Sequence, residues 1–207
     1  MTRAQTWGGR TTSERRADRR SRLLETATDM WCEGGWAAVT MRGVCARAGL
    51  NDRYFYENFE DRDALLAAIW DGVRDETAAA IISDVQHTPP GQPLEMIRRT
   101  VETAVNSFAV NPRRAVILFG DHAGSELLEH RRHELIITMT DIGVAAVGPY
   151  LRAGVDISEF RRSVIMTIGG FQELVMAWRR GAVDASTEEI ITQATRFFTL
   201  VGKNYLQ

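Results

Sequence analysis

Residues 40–66 read TMRGVCARAGLNDRYFYENFEDRDALL. Thr40 is placed to cap a short helix that turns Val44 inward and stops at Gly49, a residue free to take a positive φ. Asn51 is placed to cap a second short helix that buries Phe55 and Phe59, one turn apart. Asp61 then opens a much longer helix through Leu65, Leu66, Ile69 and Val73 toward Val85, before Pro89-Pro90-Gly91 breaks the chain. A short helix, a turn and a second short helix is the geometry in which the second helix enters the major groove of DNA while its neighbour crosses the backbone. With Phe55 and Phe59 facing inward, Arg53, Tyr54, Tyr56 and Asn58 fall on or near the outward side. All four can donate hydrogen bonds to base edges or phosphates.

Charge supports that reading at one end of the chain only. The net charge is -2, yet residues 1–22 hold seven arginines against Glu14 and Asp18, a local +5. Residues 71–207 hold 14 basic and 17 acidic residues, a net -3. A polyanion is therefore expected to meet the front of the molecule, and the acidic remainder has no DNA-facing charge. Thr11 and Glu14 have capping-box spacing, and Leu23, Ala27 and Met30 form an apolar stripe, so a first helix is expected from about Glu14 to Glu33, ended by Gly34-Gly35. The expected domains are a basic arm over 1–14, a helix-turn-helix domain over 15–60 and a helical domain over 61–207.

The pattern stays helical beyond residue 90, so the fold class is all-α. Ile97, Val101, Ala104, Val105 and Phe108 make one stripe, and Leu135, Met139, Ile142 and Ala146 make another. Residues 115–119 are β-branched enough for a strand, but without hairpin turns around them they read as a short buried helix. Asp156/Glu159 and Ser186/Glu189 repeat the capping-box spacing, which predicts helix starts near Ile157 and Thr187. The first of these helices has two apolar faces, one through Phe160, Val164 and Trp178 and a second through Met166, Gly170 and Leu174. The last carries Ile190, Phe197 and Val201 on one stripe. These faces pack either within one chain or, as the dimer reading has it, against the same pair from a second copy, with Phe160, Val164, Trp178, Ile190, Phe197 and Val201 at the interface.

The motif from Thr40 to Leu50, then Phe55-Tyr56 with Phe59, and Arg62-Asp63-Ala64-Leu65-Leu66, together with Ala27, Trp31 and Gly35-Trp36, resembles the DNA-binding domain of TetR-family transcriptional repressors. The resemblance covers about residues 15–70. It implies an all-helical homodimer with a small-molecule effector pocket in the C-terminal domain. It further implies that Thr40 and Tyr56 bind phosphates, that Arg62 stands where a phosphate-binding lysine is usual, and that Arg42, Arg53 and Tyr54 read bases; apart from the resemblance, Asn51 and Asn58 complete the expected DNA-binding set. The chain departs from the family at Gly43, where an acidic residue is common and where glycine weakens the helix by about 1 kcal/mol. Arg53 and Tyr54 replace small residues, and Asp52 and Glu57 add negative charge, so the operator does not transfer from a relative. Phe108, Phe119, Met139, Met166 and Phe171 are the candidate lining of an apolar effector pocket, and equally an ordinary core. Glu173 is a candidate polar anchor there, or one half of an internal ion pair.

Other chemistry is thin. No Gly-rich phosphate loop, nucleophile elbow or His-Glu-x-x-His stands in the chain, so neither an enzyme nor a cofactor is expected. His130-x-x-His133 among Glu126, Glu129 and Glu134 reads as a solvated, ion-paired face rather than a metal site. Cys32 and Cys45 read as small core thiols, and His122 as a core or rim residue. With neither an apolar N-terminal segment nor a run of the ~18 residues that spans a bilayer, the expected location is cytoplasmic. The competing functions are a small helical enzyme or carrier, tested by turnover, and an effector-independent DNA-binding protein, tested by whether any small molecule releases DNA.

Overall fold

A computed structural model describes residues 11–207. The chain divides into two compact units, one ending at Gly72 and the other beginning at Val73. In the first, helix α1 (Thr12–Gly34) starts on a complete capping box, Thr11 accepting from the Glu14 amide while the Glu14 carboxylate accepts from the Thr11 amide. A single 3-10 turn, Trp36–Ala38, leads into α2 (Met41–Ala48) and α3 (Asp52–Tyr56). Thr40 caps α2 through the Gly43 amide and Asn51 caps α3 through the Tyr54 amide. Gly49 ends α2 with φ +62°, a conformation that glycine alone adopts at little cost. Gly43 has a steric reason as well, since a Cβ there would come 2.8 Å from the capping hydroxyl of Thr40 and 3.0 Å from the Met30 methyl. Leu23, Ala27, Val39, Val44, Phe55, Leu65 and Leu66 are fully buried in this unit, with Trp31 and Trp70 almost so. The last four residues named, Leu65, Leu66, Trp31 and Trp70, show that α4 (Arg62–His87) joins α1 in supplying that core.

The second unit is built from the later turns of α4 and from α5 (Pro93–Val110), α6 (Pro112–Phe119), α7 (Glu126–Val147), α8 (Ile157–Arg179) and α9 (Thr187–Tyr205). The β-branched stretch at 115–119 is helical, begun by Pro112 at the first helical position and by the Asn111 side chain on the Arg113 amide. Helices α8 and α9 start where their caps place them, on Asp156 and on the Ser186/Glu189 capping box. The described residues contain no strand, only an isolated bridge between Leu151 and Leu206, beside which Arg152 donates to the Leu206 carbonyl at 2.8 Å. Among the described residues no helix is long and apolar enough to cross a membrane.

Most residues of the expected interface list have packing partners inside the subunit. Ile190 is buried with Val101, Val105 and Ala194, and Phe160 is buried with Val147 and Leu206. Trp178 is half-buried and donates its indole N–H to the Ala185 carbonyl at 2.8 Å. Val164 and Val201 line a partly open cavity. Of the six, only Phe197 is exposed, together with Met166 and Leu200. A stripe of 3.6 periodicity marks an apolar face without saying which of two apolar faces turns inward.

Candidate DNA-reading surface and ligand cavity

A five-residue helix cannot hold its own shape in water, so α3 has to be fixed by its neighbours. Arginines of α1 do this. Arg16 donates to the Glu57 carbonyl, Arg20 donates to the Asn58 carbonyl at 3.0 Å, and Arg22 donates to the Ala48 carbonyl at 2.5 Å. The Arg20 guanidinium also lies 4.4 Å from the Phe59 ring centroid, and that of Arg19 lies 4.4 Å from the Tyr54 centroid. Arg19 pairs with Glu57 at 3.3 Å, and the other oxygen of Glu57 receives the Arg53 Nε at 3.1 Å. The basic front of the chain is thus partly spent on positioning the recognition helix. Arg16, Arg20, Leu23 and Ala27 follow one another at helical spacing, which is the sequence signal for arginines on the packed side of α1. Arg3 and Arg10 lie outside the described residues.

The candidate DNA-binding residues fall into two groups. Thr40, Arg42, Asn51, Arg53 and Tyr56 are exposed. The Arg53 side chain is 82% exposed, and the contact of its Nε with Glu57 leaves both terminal nitrogens for a guanine edge. Tyr56 is 59% exposed, its ring edge-on to that of Phe55. Tyr54, Asn58 and Arg62 are half-buried. The Asn58 amide donates to the Tyr54 carbonyl at 2.7 Å. Arg62 donates to the carbonyls of Val39 and Trp36, at 2.5 and 2.7 Å, and lies over the Trp36 ring. Asn58 and Arg62 thus use donors inside the unit, and the Tyr54 ring lies under the Arg19 guanidinium.

The second unit holds a partly open cavity of about 240 Å³. Its walls are apolar side chains from α4 to α9, among them Phe108, Phe119, Met139 and Phe171, all four candidates for the pocket lining. Two candidates lie elsewhere: Met166 is 69% exposed, and Glu173 is exposed on the surface of α8. One residue along the helix is about 100° around it, which puts Gln172 on the cavity side in place of Glu173. Gln172 follows Ile168 and precedes Val175 at inward helical spacing, a polar residue within an apolar stripe.

His122 sits in the loop after α6 and is 2% exposed. Burial chiefly holds its imidazole below the ordinary histidine value, opposed by a hydrogen bond with the Ile117 backbone, while the charge of Arg132 lowers it further. A histidine kept neutral in the fold takes up a proton on unfolding, so it contributes stability above the unfolded value of ~6.5 that is lost as pH falls below it. The melting temperature should therefore fall between about pH 7 and pH 5, and less steeply in His122→Gln. Equal slopes for the two proteins would remove His122 from the acid response.

On α7, His130 lies 3.2 Å from Glu134 and His133 contacts the Glu129 carbonyl, and no group of three or more metal-ligating side chains gathers among the described residues.

Two short capped helices, with Arg42, Arg53 and Tyr56 exposed on them, form a helix-turn-helix unit. Residues 23–69 match the family model described as bacterial regulatory proteins, tetR family, so this stretch is similar to the DNA-binding domain of that family. Comparison with curated proteins gives no match. Among solved structures, the fatty acid degradation regulator FadR from Bacillus halodurans shares 14% identity over 91% of this chain and 97% of its own, with a TM-score of 0.72. The ketosteroid transcriptional regulator KstR2 of Mycobacterium tuberculosis shares 20% identity over 91% and 95%, with a TM-score of 0.61. The SmeT-triclosan complex shares 18% identity over 92% of each chain, with a TM-score of 0.72. At these identities the likeness is one of fold.

Proposed function

We propose that the protein is a repressor that grips a two-fold symmetric DNA operator as a homodimer and is released from it by a small apolar effector. The observation that carries the reading is that a single helix, α4, gives Leu65 and Leu66 to the core of the reading head and Thr77, Ala78 and Ile81 to the wall of the cavity. A ligand that shifts the later turns of such a helix moves its first turns too, and in a dimer it changes the spacing of two heads that must meet major grooves ~34 Å apart. Reciprocity then requires the effector to bind the DNA-free protein more tightly than the operator complex, by the factor by which it weakens DNA binding. Fatty acid and ketosteroid regulators and a triclosan complex share the fold, which fits a cavity lined by apolar side chains.

The DNA half of the reading assigns phosphate contacts to Thr40 and Tyr56 and base contacts to Arg42 and Arg53, with Asn51 at the edge of the surface. Tyr54, Asn58 and Arg62 act by holding the head in shape. Arg53→Ala should cost about 1–3 kcal/mol of operator affinity and relax the preference at one base pair in each half-site, whereas Tyr56→Phe should weaken every sequence alike. Binding of Arg53→Ala and wild type to a library of operator variants decides it. An unchanged preference at every position would take base reading away from Arg53.

The dimer is assigned to the other apolar face of α8. The pairs Ser163 with Tyr205, at 2.8 Å, and Phe171 with Phe198, at 5.7 Å between centroids, set α8 and α9 antiparallel. That register sets Met166 level with Gly202 and Lys203 and Gly170 level with Phe198 and Thr199, within about a turn of Leu200 and Phe197. Met166 on α8 and Phe197 and Leu200 on α9 are exposed large apolar side chains, and Gly170 has open space above it, which fits packing against a second copy of the same helix pair.

A further inference from the structure

Two polar side chains of the cavity, Gln172 and Thr100, make no hydrogen bond to a described residue, and Gln172, only 5% exposed, is the more deeply buried of the two. A buried amide of that kind keeps a donor and an acceptor in reserve, at a cost that a ligand can remove. The other hydroxyls with assigned partners are spent, Thr77 on the Val73 carbonyl and Thr167 on the Ser163 carbonyl, each within its own helix. Among the described residues no carboxylate lines the cavity, and the charged residue in its wall, Arg74, pairs with Asp75 at 2.7 Å.

We infer that the cavity takes an uncharged lipophilic molecule bearing one hydroxyl or carbonyl oxygen, and that this oxygen hydrogen-bonds to the Gln172 carboxamide. The inference rests on the effector reading above and gives it a ligand class. An ammonium ligand would find no counter-charge, and a carboxylate would be stripped of water beside an amide and an arginine already paired. Size follows from volume. A dry cavity of about 150 Å³ holds a benzene, so 240 Å³ suits about ten non-hydrogen atoms, the size of a fused two-ring system or a short chain. A hydroxyl can use both halves of the amide and a ketone only its N–H.

The test uses the full-length protein and four ligands of one shape: naphthol, methylnaphthalene, naphthoate and naphthylmethylammonium. Affinities are measured by calorimetry for wild type, Gln172→Leu and Gln172→Met, and operator binding is followed in parallel. The ratio of naphthol to methylnaphthalene affinity should fall about tenfold in both variants, as loss of one good hydrogen bond predicts. The two charged ligands should bind wild type far more weakly than naphthol. Both variants remove the amide and keep an apolar side chain of similar length, and methylnaphthalene binding shows that the cavity is intact. An unchanged ratio in the variants would overturn the anchor, as would naphthoate or the ammonium binding as tightly as naphthol, or none of the four binding at all. If the ratio falls but no bound ligand lowers operator affinity, the anchor stands and release by an effector fails.

Discussion

Phe197→Arg should convert the protein to a monomer and lower its operator affinity by about 10²–10⁴-fold, the gain that joining two binding modules supplies. Phe197 is 49% exposed in the subunit and Leu200 61%, so an arginine at either position leaves the subunit's own core untouched. Its effect falls on association. At a two-fold interface each substitution occurs twice, and the two new guanidiniums meet or lose water together. Light scattering should report twice 23.2 kDa for wild type and the single-chain mass for the variant, with an unchanged melting temperature for the second unit when both are measured at high dilution. Leu200→Arg should do the same, whereas Ile190→Arg, at a residue 2% exposed, should unfold the unit instead. A dimer of undiminished affinity in both Phe197→Arg and Leu200→Arg would place the interface elsewhere.

The same comparison shows where sequence reading has purchase. Helix ends were legible because they are local: Thr11 with Glu14, Thr40, Asn51, Asp156, and Ser186 with Glu189 each satisfy amides of their own helix within three residues. The helix-turn-helix was legible for a related reason, since Gly49, Phe55 and Phe59 lie within a few turns of one another and their spacing carries the geometry. The side of a helix that faces its partner is not local. Helix α8 is apolar on two faces, and only packing against α5, α7 and α9 decides that Phe160 and Val164 turn inward and Met166 outward. Glu173 and Gln172 show the same limit at a resolution of one residue.

Charge was misleading in a more specific way. Counting arginines in residues 1–22 treats each as available to a polyanion, but Arg16, Arg20 and Arg22 end on backbone carbonyls of the loops around α2 and α3, and Arg19 ends on Glu57. A guanidinium with five donors can bridge elements far apart in sequence, and nothing in a charge count distinguishes that use from a phosphate contact. Arg62 repeats the lesson on the carbonyls of Val39 and Trp36. Of the candidate DNA-contacting arginines, Arg42 and Arg53 are exposed and Arg62 is half-buried.

Phe55→Ala should abolish operator binding while leaving ligand binding to the second unit intact. The Phe55 side chain is fully buried, 5.7 Å from the centroid of Phe59 and at the same distance from that of Tyr56. Truncating such a ring costs about 3–5 kcal/mol, the sum of lost transfer free energy and the void left behind. A unit of this size has little to spare, since small domains bury a smaller fraction of their surface and stabilities of about 5–15 kcal/mol are usual even for larger ones. Phe55 is also the residue through which α3 is attached, because its neighbours Arg53 and Tyr56 project into solvent and the helix has only five residues. Hydrogen exchange should therefore show amides of α2 and α3 unprotected in the variant, with α8 and α9 as in wild type. Calorimetry with naphthol should give the wild-type affinity, since every residue lining the cavity lies at or beyond Arg74. Operator binding within tenfold of wild type would mean that the recognition helix is held by its arginine contacts alone and that the Phe55 core is dispensable for reading DNA.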